Sequence, residues 1–270
     1  MRKISAFLFL LLLCFACSKT DEERASSLLD NAKEHISNNE WNAAKIVLDS
    51  IHQEYPSLVE YRRMADTLEW QIRLFEHERT LSYIDTLLPI KKKELNEMKK
   101  DFVFTKDTLY QDFGSYVHRK MQLAYNLKRT YLKPMVDERG VFSLMSQYYG
   151  QVSVQHHALT LEAEGVLYRS KDPGVYNAFA NEDMYAENLL FEGTEATNIA
   201  HFIITQEQRT IKVCLKGVRD YSYFLTKNDK EAVIATINFS SIVADCYRLE
   251  QERTMLLNEI EKLKRRVVKL

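Results

Sequence analysis

The chain changes its hydrophobic rhythm several times, and each rhythm predicts an element. Ile4 to Ala16 is a run of 13 residues with only Ser5 polar, and it stops abruptly at Ser18-Lys19-Thr20-Asp21-Glu22. Helical spacing follows: Leu28 and Ala32, then Trp41, Ala44, Leu48 and Ile51, with the polar turn SNNE between the two sets. A long helix is predicted from about Leu58 to Leu88, broken by Pro89 and resumed to about Phe102. It carries the stripe Leu81, Ile84, Leu88, Lys91, Leu95, Met98 and Phe102, whose spacing alternates three and four. Leu109, Phe113, Tyr116, Val117, Met121, Ala124 and Leu127 extend the helical pattern over 107–128.

The period then drops to two. Tyr131–Met135 and Val141–Met145 flank DERG as a hairpin, and Val152–His157 and Leu159–Tyr168 follow Gly150. Leu189–Phe191, Ile199–Thr205, Thr210–Leu215 and Tyr221–Leu225 complete seven or eight short strands, with Ile211, Val213 and Leu215 sharing one face. SKDPGVYNAFANEDMYAEN reads as an exposed loop. The chain ends in heptads: Leu249, Leu256, Leu263 and Leu270 recur every seven residues beside Cys246, Arg253, Ile260 and Val267.

Glycine sharpens this outline. None precedes Gly114, and none follows Gly217. The order is therefore helix, then β, then helix. The expected class is α+β: an N-terminal helical hairpin and a long antiparallel coiled-coil stalk, with an antiparallel β-sandwich-like domain inserted between its arms. The predicted segments are 1–16, 17–24 as a tether, 25–57 as the hairpin, 58–128 as long helices and first arm, 129–228 as the β domain and 229–270 as the second arm. Some 25 to 30 paired residues would make a stalk on the order of 40 Å long. Both arms lie on one chain at high local concentration, which favours pairing within it. The rival pairing is a parallel homodimer through the C-terminal heptads.

Charge and chemistry exclude more than they assign. Removing residues 1–16 takes Arg2 and Lys3 from the 37 Lys+Arg, leaving 35 against 38 Asp+Glu and a net charge of −3. That gives no basic field for nucleic acid. Cys214, in a strand pattern, and Cys246, on a helix stripe, read as small buried hydrophobes rather than a disulfide pair. His156 and His157 are adjacent, so they face opposite sides and make a poor chelating pair, even with His201. Glu162 and Glu164 read as a solvated edge. No nucleophile elbow, H-E-x-x-H or P-loop occurs. No catalytic residue, metal or cofactor is therefore expected. Tyr148, Tyr149 and Tyr176, among the tyrosines around the β region, are candidates for holding a sugar ring or a partner.

Two short stretches carry resemblances. Arg2 and Lys3, the apolar run, Ala16 and then Cys17 resemble a bacterial lipoprotein signal, of the looser Bacteroidota kind. The run is shorter than the ~20 residues that span a bilayer. The resemblance implies cleavage before Cys17, acylation of that cysteine and attachment to the cell envelope, with the outer membrane expected. Simple secretion and an uncleaved anchor are the other readings. CFAC is then no redox or zinc pair, because Cys14 leaves with the signal. Lys19 ahead of Asp21 and Glu22 also resembles the surface-export signal of such lipoproteins. Second, ASSLLDNAKEHISNNEWNAAKIVLDSIHQEYPS resembles one tetratricopeptide repeat, with Pro56 at its terminal proline. One repeat cannot bury its own face, so its partner is the long helix or another protein. Trp41 on that face is a candidate partner contact.

Together these readings lead to the expectation of a non-enzymatic, lipid-anchored scaffold or adaptor contacting the membrane through its acyl chains and an envelope protein through its folded part. The alternative expectation is a surface lipoprotein that binds carbohydrate or another ligand through its β-rich domain.

Overall fold

The structure, a computed structural model, describes residues 20–106, 112–171, 175–181 and 184–268. It is an α+β protein whose sheets are antiparallel. The contacts divide it into two units, one formed by residues 1–84 with 253–270, the other by 85–252. Among the described residues, no helix is long and apolar enough to cross a membrane.

In the first unit, α1 (Asp21–Ser37) and α2 (Trp41–Glu54) form the expected hairpin. Thr20 caps α1 with a capping box: its Oγ1 accepts from the Glu23 N–H, and the Glu23 carboxylate accepts from the Thr20 N–H. The helix thus begins at Asp21, inside the segment 17–24 predicted as a tether. Asn39 turns the chain between helices at φ +60°, a conformation asparagine tolerates well. The hairpin buries Leu29, Ala32, Ala44, Leu48 and Ile51 against Ala65 and Ile72 of α3 (Val59–Met98). Small residues at the crossing let the helices approach, and the larger ones fill the flanks. The partner left open by the sequence is therefore the long helix.

Pro89 lies inside α3 and does not end it. A proline removes one i→i−4 bond, but the helix is held on both sides of it. Ile84 and Leu88 are buried just before, and Lys91 pairs with Asp245 (3.1 Å) just after. The last helix, α5 (Lys227–Val268), carries the heptad stripe. Cys246, Leu249, Leu256, Ile260 and Leu263 are buried as that stripe requires, and Leu270 lies outside the described residues. Within the first unit, Glu78 pairs with Lys264 (2.8 Å), and the Arg266 guanidinium sits over Trp70. Those segments of α3 and α5 therefore touch within one chain.

In the second unit the predicted helix over 107–128 is absent where described. Ser115–His118 is a strand, β2, paired to β1 (Phe102–Thr105) and β3 (Tyr131–Asp137); 3-10 turns follow at Arg119–Met121 and Leu123–Tyr125. Pairing on both sides gives residues 115–118 a ladder that a lone amphipathic helix does not offer. Leu109 lies outside the described residues. The first sheet has order β1-β2-β3-β4-β8-β7, where β4 is Phe142–Gly150, β7 Tyr176–Asn181 and β8 Met184–Glu192. The second has order β10-β9-β5-β6, where β5 is Ala158–Ala163, β6 Val166–Arg169, β9 Lys212–Lys216 and β10 Tyr221–Phe224.

Three further expectations change. The strand predicted through Leu159–Tyr168 folds back at Glu164-Gly165, whose φ values of 46° and 84° suit a tight hairpin. The loop predicted across SKDPGVYNAFANEDMYAEN contains β7 and the start of β8, although 172–174 and 182–183 lie outside the described residues. Its polar look comes from an edge strand with exposed side chains. Ile199–Thr205 is not a strand but the end of helix α4 (Gly193–Thr205). A short, nearly continuous apolar run does not distinguish the two periods, and burial of Ala196, Ile199, Ala200 and Ile203 on one helical face decides it.

Both sheets, α4 and the start of α5 share one core. Leu132, Leu144 and Phe191 face inward from the first sheet, and Leu161, Val213 and Leu215 from the second. The predicted face Ile211, Val213 and Leu215 is fully buried. Phe239 of α5 stacks on Phe102 with centroids 4.1 Å apart and meets Tyr116 edge-on. Helices inside the core make this more than a two-sheet sandwich. Cys246 is buried, Cys214 half-buried, and both are free thiols.

The DERG turn is where a sheet meets α5. Asp137 Oδ1 accepts from the Arg139 N–H (2.9 Å) and the Val141 N–H (2.8 Å), and Gly140 has φ +87°. A Cβ there would stand 2.3 Å from the Ala244 nitrogen of α5. Gly140→Ala is expected to destabilise the protein by about 1–3 kcal/mol through backbone strain alone, and further by displacing α5. A denaturant midpoint lowered further in this variant than in Gly165→Ala, a glycine of similar φ with open space around it, would separate the steric part from the conformational part, which both variants share.

Candidate functional site

The β-rich unit contains a cavity of about 540 Å³ beside β7 and β8. The alternation of β8 puts Glu187, Leu189 and Phe191 on the inner face. Leu189 and Phe191 meet the core, but Glu187 is a fully buried carboxylate. Opposite it runs 152–157, predicted as a strand and found without ladder pairing. The reason is local. Glu187 accepts from the Ser153 hydroxyl (2.8 Å), the Val154 N–H (2.8 Å) and, more weakly, the His156 N–H (3.4 Å). These amides serve a side chain and not a neighbouring strand.

His156 completes the arrangement. It is fully buried, and its Nδ1 lies 3.1 Å from Glu187. Burial pushes its pKa below the ordinary 6.5, against the opposing pull of Glu187. Burial alone would raise the Glu187 pKa; donation from the Gln155 backbone, His156, Ser153 and Val154 outweighs it and holds the carboxyl below its ordinary 4.5. The pair is a neutral imidazole whose Nδ1–H donates to a carboxylate. Tyr176, on β7, lies edge-on to the His156 ring, with centroids 6.1 Å apart. Burial and the charge of Glu187 push its phenol up to about 12, so it stays protonated. Phe179 and Tyr185 add aromatic surface to the cavity wall, and His157 lies exposed beside it.

Ser153 donates to Glu187 and not to His156, so the imidazole has no hydroxyl nucleophile beside it in that residue.

The residues singled out in the sequence are dispersed. Tyr148 is buried; its hydroxyl donates to the Val152 carbonyl (2.7 Å), and its ring meets Tyr221 edge-on. Tyr149 points to the opposite face of β4, as alternation demands. Only Tyr176 reaches the cavity, so the three tyrosines form no common platform. Trp41 starts α2 and stacks on Phe75 of α3, with centroids 4.6 Å apart. Its ring is half-buried packing. Cys17 lies outside the described residues. His156 and His157 do face opposite ways, one buried and one exposed, and His201 is exposed on α4. Glu162 is exposed, and Glu164 pairs with Arg209 (3.1 Å). Glu187 gave no signal in the sequence, where it falls in the stretch read as an exposed loop.

Comparison with known protein families, with curated proteins and with solved structures returns no match.

The His156–Glu187 pair predicts acid sensitivity. A neutral imidazole favoured by the fold contributes stability that is full above pH 6.5 and declines as pH falls below it. A carboxylate favoured by the fold contributes stability that is present above pH 4.5 and is lost on further acidification. Denaturant unfolding from pH 8 to 4 is expected to show stability falling in that order. Glu187→Gln is expected to lower stability at pH 8 and to flatten the profile below pH 5.

Proposed function

We propose that this protein is a non-enzymatic, lipid-anchored adaptor of the bacterial cell envelope, held at the membrane, with the outer membrane as the expected site, through acyl chains on Cys17. The observation that carries this reading is the position of the Thr20 cap. The helix begins at Asp21, four residues after the lipoprotein-type cysteine, with Thr20 as its cap. An acyl chain at Cys17 would therefore hold the helical hairpin close to the bilayer surface, not on a long flexible leash. In this reading α3 and α5 pair along their stripes as an antiparallel coiled-coil stalk. Their ion pairs within each unit, Glu78–Lys264 and Lys91–Asp245, support that pairing over a homodimer through the heptads. The hairpin is tetratricopeptide-like, and the β-rich unit is the part presented to a partner protein.

A second reading, a ligand-binding lipoprotein, rests on the cavity. Tyr176, Tyr185 and Phe179 offer aromatic faces beside polar groups, a combination that suits a sugar ring or another small hydroxylated ligand.

Cys17→Ser is expected to move the protein from the membrane fraction to the soluble envelope fraction; retention of the variant in the membrane would overturn the anchor. Crosslinking in intact cells, followed by capture of the full chain from detergent extracts, is expected to recover one stoichiometric envelope protein. An extract without such a partner, together with sugar binding abolished by Tyr176→Ala, would decide for the second reading.

A further inference from the structure

His52, Asp66 and Glu69 come together in the first unit. His52 stands in the last turn of α2. Asp66 and Glu69 are one turn apart on α3, so both carboxylates project from the same side of it. One ligand atom from each of the three lies within 4.8 Å of the others. We propose that these three side chains form a binding site for a divalent transition metal, with zinc the ion that best suits one imidazole and two carboxylates.

Four observations carry this. The His52 Nε2 and Asp66 Oδ1 atoms are 3.3 Å apart. That is long for an N–H···O bond, which centres near ~2.9–3.0 Å. It matches the edge of a tetrahedron with bonds of about 2.0 Å, roughly 3.3 Å. The backbones that carry the ligands are fixed, because Ile51 and Ala65, the neighbours of His52 and Asp66, are fully buried in the hairpin core. The three side chains are half-buried, so an ion can enter and keep water in its remaining position. Finally, the donors come from two helices, so an ion held there would fasten α2 to α3.

The groups now paired with the ligands can give way. The Arg62 Nε donates to His52 Nδ1 at the long distance of 3.5 Å, while its Nη1 donates to the Pro56 carbonyl at 3.1 Å. Arg73 pairs with Glu69 at 2.6 Å but is 54% exposed, and such pairs contribute little. On binding, the His52 Nε2 lone pair would go to the metal with the ring proton carried on Nδ1, so the Arg62 Nε–H would turn away while Arg62 keeps its bond to the Pro56 carbonyl. The two carboxylates bind as they stand.

The test uses the untagged full chain in detergent micelles, stripped with a chelator and titrated with zinc chloride by calorimetry. One zinc per chain is expected. His52→Ala, Asp66→Asn and Glu69→Gln are each expected to weaken it by more than about tenfold, while His201→Ala leaves it unchanged. The Asn and Gln substitutions are near-isosteric, so helical circular dichroism should be retained and the affinities comparable. Cobalt in place of zinc should give visible d–d bands that disappear in His52→Ala. The proposal is overturned if no zinc binds, or if zinc binds equally to the wild type and to Asp66→Asn and Glu69→Gln.

Discussion

The β-rich unit turns on one buried carboxylate. Glu187 collects the Ser153 hydroxyl, the Val154 and His156 amides and the His156 ring. Those bonds hold the chain where it leaves the first sheet after Gly150 and before it enters the second at Ala158. The same segment then offers a carbonyl to the turn after β9: Val154 accepts from the Val218 N–H (2.9 Å). A glycine is required opposite, since a Cβ on Gly217 would stand 2.3 Å from the Val154 oxygen. Burying a charge costs several kcal/mol unless its lone pairs are filled, and here they are filled by the crossing segment itself. The polar group that seems out of place in the core is what lets the chain pass from one sheet to the other.

The helical unit obeys a different constraint. A two-helix hairpin has one apolar face and nothing of its own to cover it. The capping box at Thr20, the left-handed Asn39 and the alanines at the crossing specify the hairpin locally. Its stability, however, depends on Ala65 and Ile72 of α3. The same contact places His52 opposite Asp66 and Glu69.

Some features were legible because they depend on neighbours in sequence. The hairpin helices, the heptad stripe of α5, the DERG turn and the inward face Ile211, Val213, Leu215 follow from periodicity and turn chemistry. Others were misread because a distant partner decides them. Ser115–His118 has helical spacing in its surroundings but becomes a strand between β1 and β3. Val152–His157 alternates like a strand but gives the amides of Val154 and His156 to Glu187. Pro89 breaks a helix in principle but sits within one that is held on either side of it.

The candidate sites divide the same way. The sequence by itself determined the helix–β–helix order and the aromatic richness of the β region, because each is a matter of local composition or spacing. Only the tertiary structure decided which residues share a site. Tyr148, Tyr149 and Tyr176 are close in sequence or type, yet alternation and sheet pairing send them to different surroundings. His156 and Glu187 are 31 residues apart, and His52 and Asp66 sit on separate helices. Such pairs are created by packing, which sequence periodicity does not encode: it tells a side chain which way to face, but not what will be waiting there.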